Sequence, residues 1–155
     1  MEEQGVMVRK MELFDIDDVE QVEIACFSTP WSKKSLEEAL QHDTHQFLVA
    51  EVDGKVVGYM GLIKMFTEAD VTNIAVLPDI RRRGIATALL EETLKLARES
   101  GVEVVFLEVR QSNTCAIHLY EKYQFKAISI RKNYYQNPTE HAVVMSADLS
   151  TRKKE

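Results

Sequence analysis

A chain of 155 residues holds one domain comfortably and two only with difficulty. At that size about 70% of the unfolded surface can be buried, so no disulfide or metal staple is required. With 45% hydrophobic and 28% charged residues the composition is that of a soluble globular domain, and the net charge of −6 argues against a nucleic-acid partner, which needs a basic face. Cys26 and Cys115 stand in no CxxC or Cys/His cluster, and His42, His45, His118 and His141 show no ligand spacing, so no metal is expected. No apolar run approaches the roughly 20 residues that span a bilayer, and Met1-Glu2-Glu3-Gln4 begins no signal core, so the reading is cytoplasmic with no membrane partner.

Val6 to Met11 predicts a first strand. Asp15 or Asp17 is placed to cap a helix with Val19, Val22 and Cys26 on its apolar side, broken at Thr29-Pro30. A short helix follows, capped by Ser32 or Ser35, with Glu38 three residues after Ser35 as in a capping box. Gln46 to Val52 and Lys55 to Met65 read as strands joined at Asp53-Gly54, a pair suited to the positive φ of a tight hairpin. Val71 to Val76 is a further strand, ended by Pro78. A helix begins near Gly84, with Ala86, Leu90 and Leu94 at fourfold spacing, and ends at Gly101. Val102 to Arg110 is a buried strand, Asn113 caps a short helix, and Phe125 to Arg131 and Ala142 to Leu149 are the last strands. Between them lies a polar loop with Tyr134, Tyr135, Asn137 and Pro138. Hairpins early and crossovers late imply a mixed sheet with flanking helices, an α/β fold in one domain over 1–150, with 151–155 a solvated tail.

The most specific feature is the run from Asn73 to Ala86. A strand enters a turn that opens an amphipathic helix, and the free N–H groups of a helix start form an anion site. Gly84 allows close approach of a ligand, Ala86 keeps the helix near the sheet, and Arg81, Arg82 and Arg83 add positive charge. The Walker and dinucleotide-binding patterns are both absent. This element resembles that of the GNAT superfamily of N-acetyltransferases, whose Arg/Gln-x-x-Gly-x-Gly/Ala pattern matches Arg81 to Ala86. The resemblance implies a sheet splayed around acetyl-CoA. The backbone of Ile74, Ala75 and Val76 would pair with the pantetheine arm, and Arg82, Arg83, Gly84, Ile85, Ala86 and Thr87 would hold the pyrophosphate, with Arg81 opening the turn.

Acetyl transfer from a thioester needs a neutral amine, a donor for the oxyanion and a proton for the departing thiolate. Alternation places Glu108 on one face with Val102, Val104 and Phe106, where partial burial would make it a better base; a solvated strand end or an ion pair with a nearby Arg is the competing reading. Tyr120 stands on the short helix as a candidate proton donor or a core aromatic. Asn113 reads first as a cap. The stretch from Leu107 to Phe125, together with Cys26-Phe27, Pro30-Trp31-Ser32 and Arg131 to Tyr135, resembles the bacterial ribosomal-protein-alanine N-acetyltransferases (the RimI type). That likeness implies Glu108 as proton acceptor, Tyr120 as proton donor and Asn113 as a cofactor contact. It further implies the amino-terminal alanine of a ribosomal protein as acceptor. Alternatives are a small amine, polyamine or lysine acceptor, or a non-catalytic acetyl-CoA-binding regulator. Phe27, Trp31, Arg131, Tyr134 and Tyr135 are candidate acceptor-groove residues, and Glu68 and Asp70 would attract a basic peptide. A monomer or weak dimer is expected. Gln124 replaces the usual glycine before Phe125, which in a left-handed helix terminus would cost on the order of 1 kcal/mol.

Overall fold

The computed structural model describes residues 5–27, 29–80 and 84–150. In chain order these form β1 (Val6–Lys10), α1 (Ile16–Cys26), α2 (Lys33–Leu40), β2 (His45–Val52), β3 (Lys55–Met65), β4 (Glu68–Val76), α3 (Ile85–Glu99), β5 (Val104–Arg110), α4 (Thr114–Lys122), β6 (Lys126–Tyr135) and β7 (Glu140–Asp148). The strands follow the order β1-β2-β3-β4-β5-β7-β6 in a seven-stranded mixed sheet. The chain divides into two compact units, one reaching Ile63 and including Thr72–Leu96, the other made of Lys64–Val71 and the chain from Ala97 on.

In the first unit β2 pairs antiparallel with β1 and β3. Asp53 and Gly54 join β2 to β3 with φ of 54° and 79°, the positive values the hairpin requires. Helices α1 and α2 close over this sheet around Ile16, Val19, Val22, Leu36, Phe47 and Tyr59. Ser32, not Ser35, caps α2: its hydroxyl accepts from the Ser35 N–H at 3.1 Å, which puts Ser35 at the third helical position and removes Glu38 from any capping box. Two glycines let β4 lie close to β3: a Cβ on Gly58 would stand 2.8 Å from the Ala75 carbonyl, and one on Gly61 2.5 Å from Thr72 Oγ1.

Asp15 precedes α1 but does not cap it with its side chain. It accepts instead from both Arg9 terminal nitrogens at 2.8 and 2.9 Å and from the Glu12 N–H at 2.8 Å. Burial pushes its pKa up, yet the Arg9 and Glu12 bonds outweigh burial and hold the carboxyl below its ordinary value. A depressed folded value means the stabilisation is whole above the unfolded pKa and is lost as pH falls through the folded one. Asp15→Asn is therefore expected to cost about 2 kcal/mol near neutral pH, from lost hydrogen bonds to a charged group. That deficit should shrink below pH 3.8. Urea melts of both proteins across pH 2.5–7 test this; a deficit that stays constant over the whole range would refute it.

In the second unit β4 starts further upstream than the sequence pattern predicts, at Glu68 rather than Val71. Phe66 and Thr67 make the turn before it, with Phe66 at φ 58°. The first three residues of β4 pair in parallel with β5, Glu68 with Val104, Ala69 with Val105 and Asp70 with Phe106. β7 pairs antiparallel with β5 on one side and β6 on the other. Tyr134 and Tyr135 belong to β6 and not to the loop, which is confined to residues 136–139. The misreading has a local cause: Lys132, Asn133 and Tyr134 all face the single residue His141, in an irregular stretch where Asn133 takes φ 53° and its N–H donates to His141 Nδ1 at 3.0 Å. A second bulge makes Ile128 an additional residue between the pairs Ala127–Met145 and Ser129–Val144.

Candidate active site

The residues expected to hold the acyl donor lie in the first unit. Ile74 is half-buried on β4, followed by buried Ala75 and Val76. The Val76 carbonyl accepts from Cys26 Sγ at 3.2 Å. Gly84 takes φ 79° immediately before α3, and a Cβ built on it would meet nothing within 4 Å among the described residues, which leave the space beside the helix start open. The Gly84 carbonyl accepts from the Ala88 N–H at 3.0 Å, so the N–H groups of Ile85, Ala86 and Thr87 belong to the first turn, where no intrahelical acceptor exists. An open helix start of this kind fits a diphosphate. Arg81, Arg82 and Arg83 lie outside the described residues.

One group in this unit escapes the sequence reading. Glu23 is only 1% exposed, and both of its oxygens are engaged. Oε1 accepts from the Trp31 N–H at 2.7 Å, and Oε2 accepts from the Tyr59 hydroxyl and from Asn73 Nδ2 at 3.3 Å. Burial, reinforced by the Glu23 carboxylate, raises the Tyr59 hydroxyl far above its usual range and keeps it a donor. The available signal was position: Glu23 lies four residues after Val19, on the helix stripe that also carries Val22 and Cys26. Phe27, 40% exposed, and half-buried Trp31, packed on the core, lie in the connection that follows α1.

The proton-transfer candidates lie in the second unit. On β5, Val105, Leu107 and Val109 are buried, and Val104, Phe106, Glu108 and Arg110 form the half-buried face. Glu108 is paired with Arg131, whose Nε stands 3.4 Å from Oε2, so the ion-pair reading holds alongside partial burial. The Arg131 guanidinium also lies 5.4 Å from the Tyr134 ring centre, and Arg110 4.6 Å from that of Tyr135. Tyr134 and Tyr135 meet edge to face at 5.0 Å. Burial pushes the Tyr135 hydroxyl up to about 12, with Tyr134 and Glu108 adding to the rise. Tyr120 is buried, and burial, with Tyr135 beside it, raises its hydroxyl well above the ordinary value. Glu140 accepts from Arg110 at 3.1 Å and from the Ser112 N–H at 2.6 Å, tying the end of β5 to β7.

Asn113 caps α4, its side chain accepting from the Ala116 N–H at 3.2 Å. At the other end the Phe125 N–H donates to the Tyr120 carbonyl at 3.1 Å and the Gln124 N–H to the Glu121 carbonyl at 3.1 Å, the two bonds of a Schellman motif. The rings of Tyr120 and Phe125 pack at 5.8 Å, supplying its hydrophobic contact. Gln124 occupies the left-handed position at φ 76°, as the missing glycine implied. Gln124→Gly relieves about 1–2 kcal/mol of local strain and returns about 0.4–1 through the looser unfolded chain. A net gain of about 0.5–1 kcal/mol in chemical unfolding, with turnover unchanged, is expected, and a loss of stability would contradict it. Glu68 and Asp70 are exposed strand residues and not loop residues; their register with Val104 and Phe106 puts both on the face that carries Glu108. Among the described residues no cluster of His, Cys, Asp and Glu is fit to hold a metal.

A mixed α/β sheet with an open helix start directly after a sheet strand fits a protein that binds a phosphorylated ligand. Residues 16–125 match the model of the acetyltransferase (GNAT) family, and the chain belongs to that family, an acyltransferase that draws its acetyl group from acetyl-CoA. It is 36% identical over 155 residues to an N-alpha-acetyltransferase of Sulfurisphaera tokodaii, covering 92% of each chain. It is 32% identical over 145 residues to the [ribosomal protein bS18]-alanine N-acetyltransferase of Escherichia coli K12, covering 92% of this chain and 97% of the other. The crystal structure of the ribosomal-protein-S18-alanine N-acetyltransferase from Escherichia coli superposes with a TM-score of 0.86 at 32% identity, over 92% of this chain and 93% of that one.

Proposed function

We propose that this acetyltransferase modifies the amino-terminal alanine of a small-subunit ribosomal protein by direct transfer in a ternary complex. Acetyl-CoA lies along Ile74 to Val76, its diphosphate on the turn from Arg81 to Thr87, and Asn113 adds a contact. Glu108, directly or through a water, takes a proton from the amine. The nitrogen attacks the acetyl carbon, a backbone N–H of the Ile74–Val76 strand steadies the oxyanion, and as the C–S bond breaks the Tyr120 hydroxyl protonates the departing sulfur and regains its proton from the one the new amide nitrogen sheds. The observation that carries this reading is half-buried Glu108, ion-paired with Arg131, on the strand that leads into the Asn113 cap of α4 and its buried Tyr120. Glu68 and Asp70, on the same face as Glu108, favour a basic acceptor chain, which a ribosomal protein supplies. An amino terminus with pKa about 7.7–8.0 also asks less of a single carboxylate base than lysine at about 10.4.

Thiol release from acetyl-CoA, compared between a basic peptide beginning with alanine and its amino-blocked twin, tests the proposal. Turnover of the free peptide alone is expected. Equal turnover of a blocked twin containing lysine would move the acceptor to the side chain, and turnover only with small amines would overturn the peptide reading.

A further inference from the structure

We infer that Glu23 is a positioning residue that holds the acceptor-side connection between α1 and α2 in its working shape. The inference rests on the reading above, in which Phe27 and Trp31 line the acceptor groove. A buried carboxylate is costly unless its oxygens are satisfied, and this one is satisfied by donors from three separate places. The Trp31 N–H comes from the connection, the Tyr59 hydroxyl from β3 and Asn73 Nδ2 from β4. The Trp31 bond falls one residue before Ser32, the cap of α2, so the carboxylate fixes where the connection ends and the helix begins. The Asn73 bond falls one residue before Ile74, on the strand assigned to the acyl donor. A single side chain therefore registers the acceptor-side connection against the donor strand. Asn73 Oδ1, buried and without a hydrogen-bond partner among the described residues, adds an acceptor that a ligand N–H would satisfy at the same place.

Glu23 touches no reacting atom in this scheme, so its removal acts on acceptor affinity and not on chemistry. Glu23→Ala is expected to raise the peptide KM about tenfold or more, with kcat at saturating peptide and the Kd for coenzyme A, measured by calorimetry, each within about threefold of wild type. Trp31 is the only tryptophan, so its fluorescence reports on the connection, and acrylamide should quench it more readily in the variant. Glu23→Gln keeps an oxygen for the Trp31 N–H, and Tyr59 and a turned Asn73 amide can both accept from the new NH2, so this variant should restore most of the peptide affinity. A folded Glu23→Ala protein with wild-type peptide KM overturns the inference, as do equal losses in kcat and coenzyme A binding, or a Gln variant no better than Ala. Should Glu23→Ala fail to fold, the wild type decides: bound peptide must shield Trp31 from acrylamide, and unchanged quenching overturns the inference. Wild-type protein that turns over no amino-terminal peptide would instead bring down the acceptor reading itself.

Discussion

Tyr120→Phe is expected to lower turnover by about 100-fold or more, the span typical of a lost general acid, with coenzyme A affinity almost unchanged. Burial first, and Tyr135 second, hold the Tyr120 hydroxyl above its ordinary value, so it stays protonated at any pH where the enzyme works. In the proposed mechanism it meets a thiolate whose pKa is about 8.5 with a fixed O–H donor as the C–S bond breaks. Phenylalanine preserves the ring contact with Phe125, and the Schellman bonds on the Tyr120 carbonyl involve backbone alone, so α4 should remain intact. The decisive measurement is single-turnover thiol release beside calorimetric coenzyme A binding; wild-type release in the variant would remove Tyr120 from the mechanism. Because the hydroxyl is never ionised in the working range, the variant should also show no missing limb in its pH profile.

Glu108→Gln should cost about 100-fold in kcat/KM near neutral pH, and less as the pH rises. Below about pH 8 the acceptor amine is mostly charged and must surrender a proton before or during attack, while at higher pH solution supplies the neutral form. The penalty should therefore narrow above about pH 9, once the amine is neutral without help. Tyr135, pushed up to about 12 by burial and its neighbours, adds no limb of its own in that interval. The substitution also severs the Arg131 ion pair, but Arg131 is 58% exposed, and a pair so placed contributes little to stability. A pH–rate profile parallel to that of the wild type would count against Glu108 as the base.

The elements most legible in the sequence were those whose local chemistry agrees with their setting. Asp53-Gly54 announced its hairpin because both residues tolerate positive φ, and α3 announced itself through Leu90 and Leu94 at helical spacing, both buried. The start of β4 was hidden because its turn uses Phe66 at positive φ, a residue that carries no turn signature. Tyr134 and Tyr135 read as loop residues because the irregular pairing opposite His141 breaks the alternation that marks a strand. For the site, alternation put Glu108 on its half-buried face, and the family resemblance supplied the role of Tyr120, which spacing alone could not separate from that of a core aromatic. Glu23 escapes the sequence reading because a charged residue on a helix stripe reads as solvated, and its three donors are distant in sequence. The arginines of the turn, central to the sequence reading, lie outside the described residues.

The two irregularities in β6 bear on how the molecule behaves in a crowded cell. β6 is the last strand of the sheet, and its outer side carries backbone groups that another chain could adopt as a template for fibrous or swapped assemblies. The surplus residue at Ile128 and the kink around Asn133 break that row into short pieces, and Lys126, Arg131 and Lys132 place positive charge along it. Interruptions and charge of this kind are the devices by which edge strands discourage pairing with another chain.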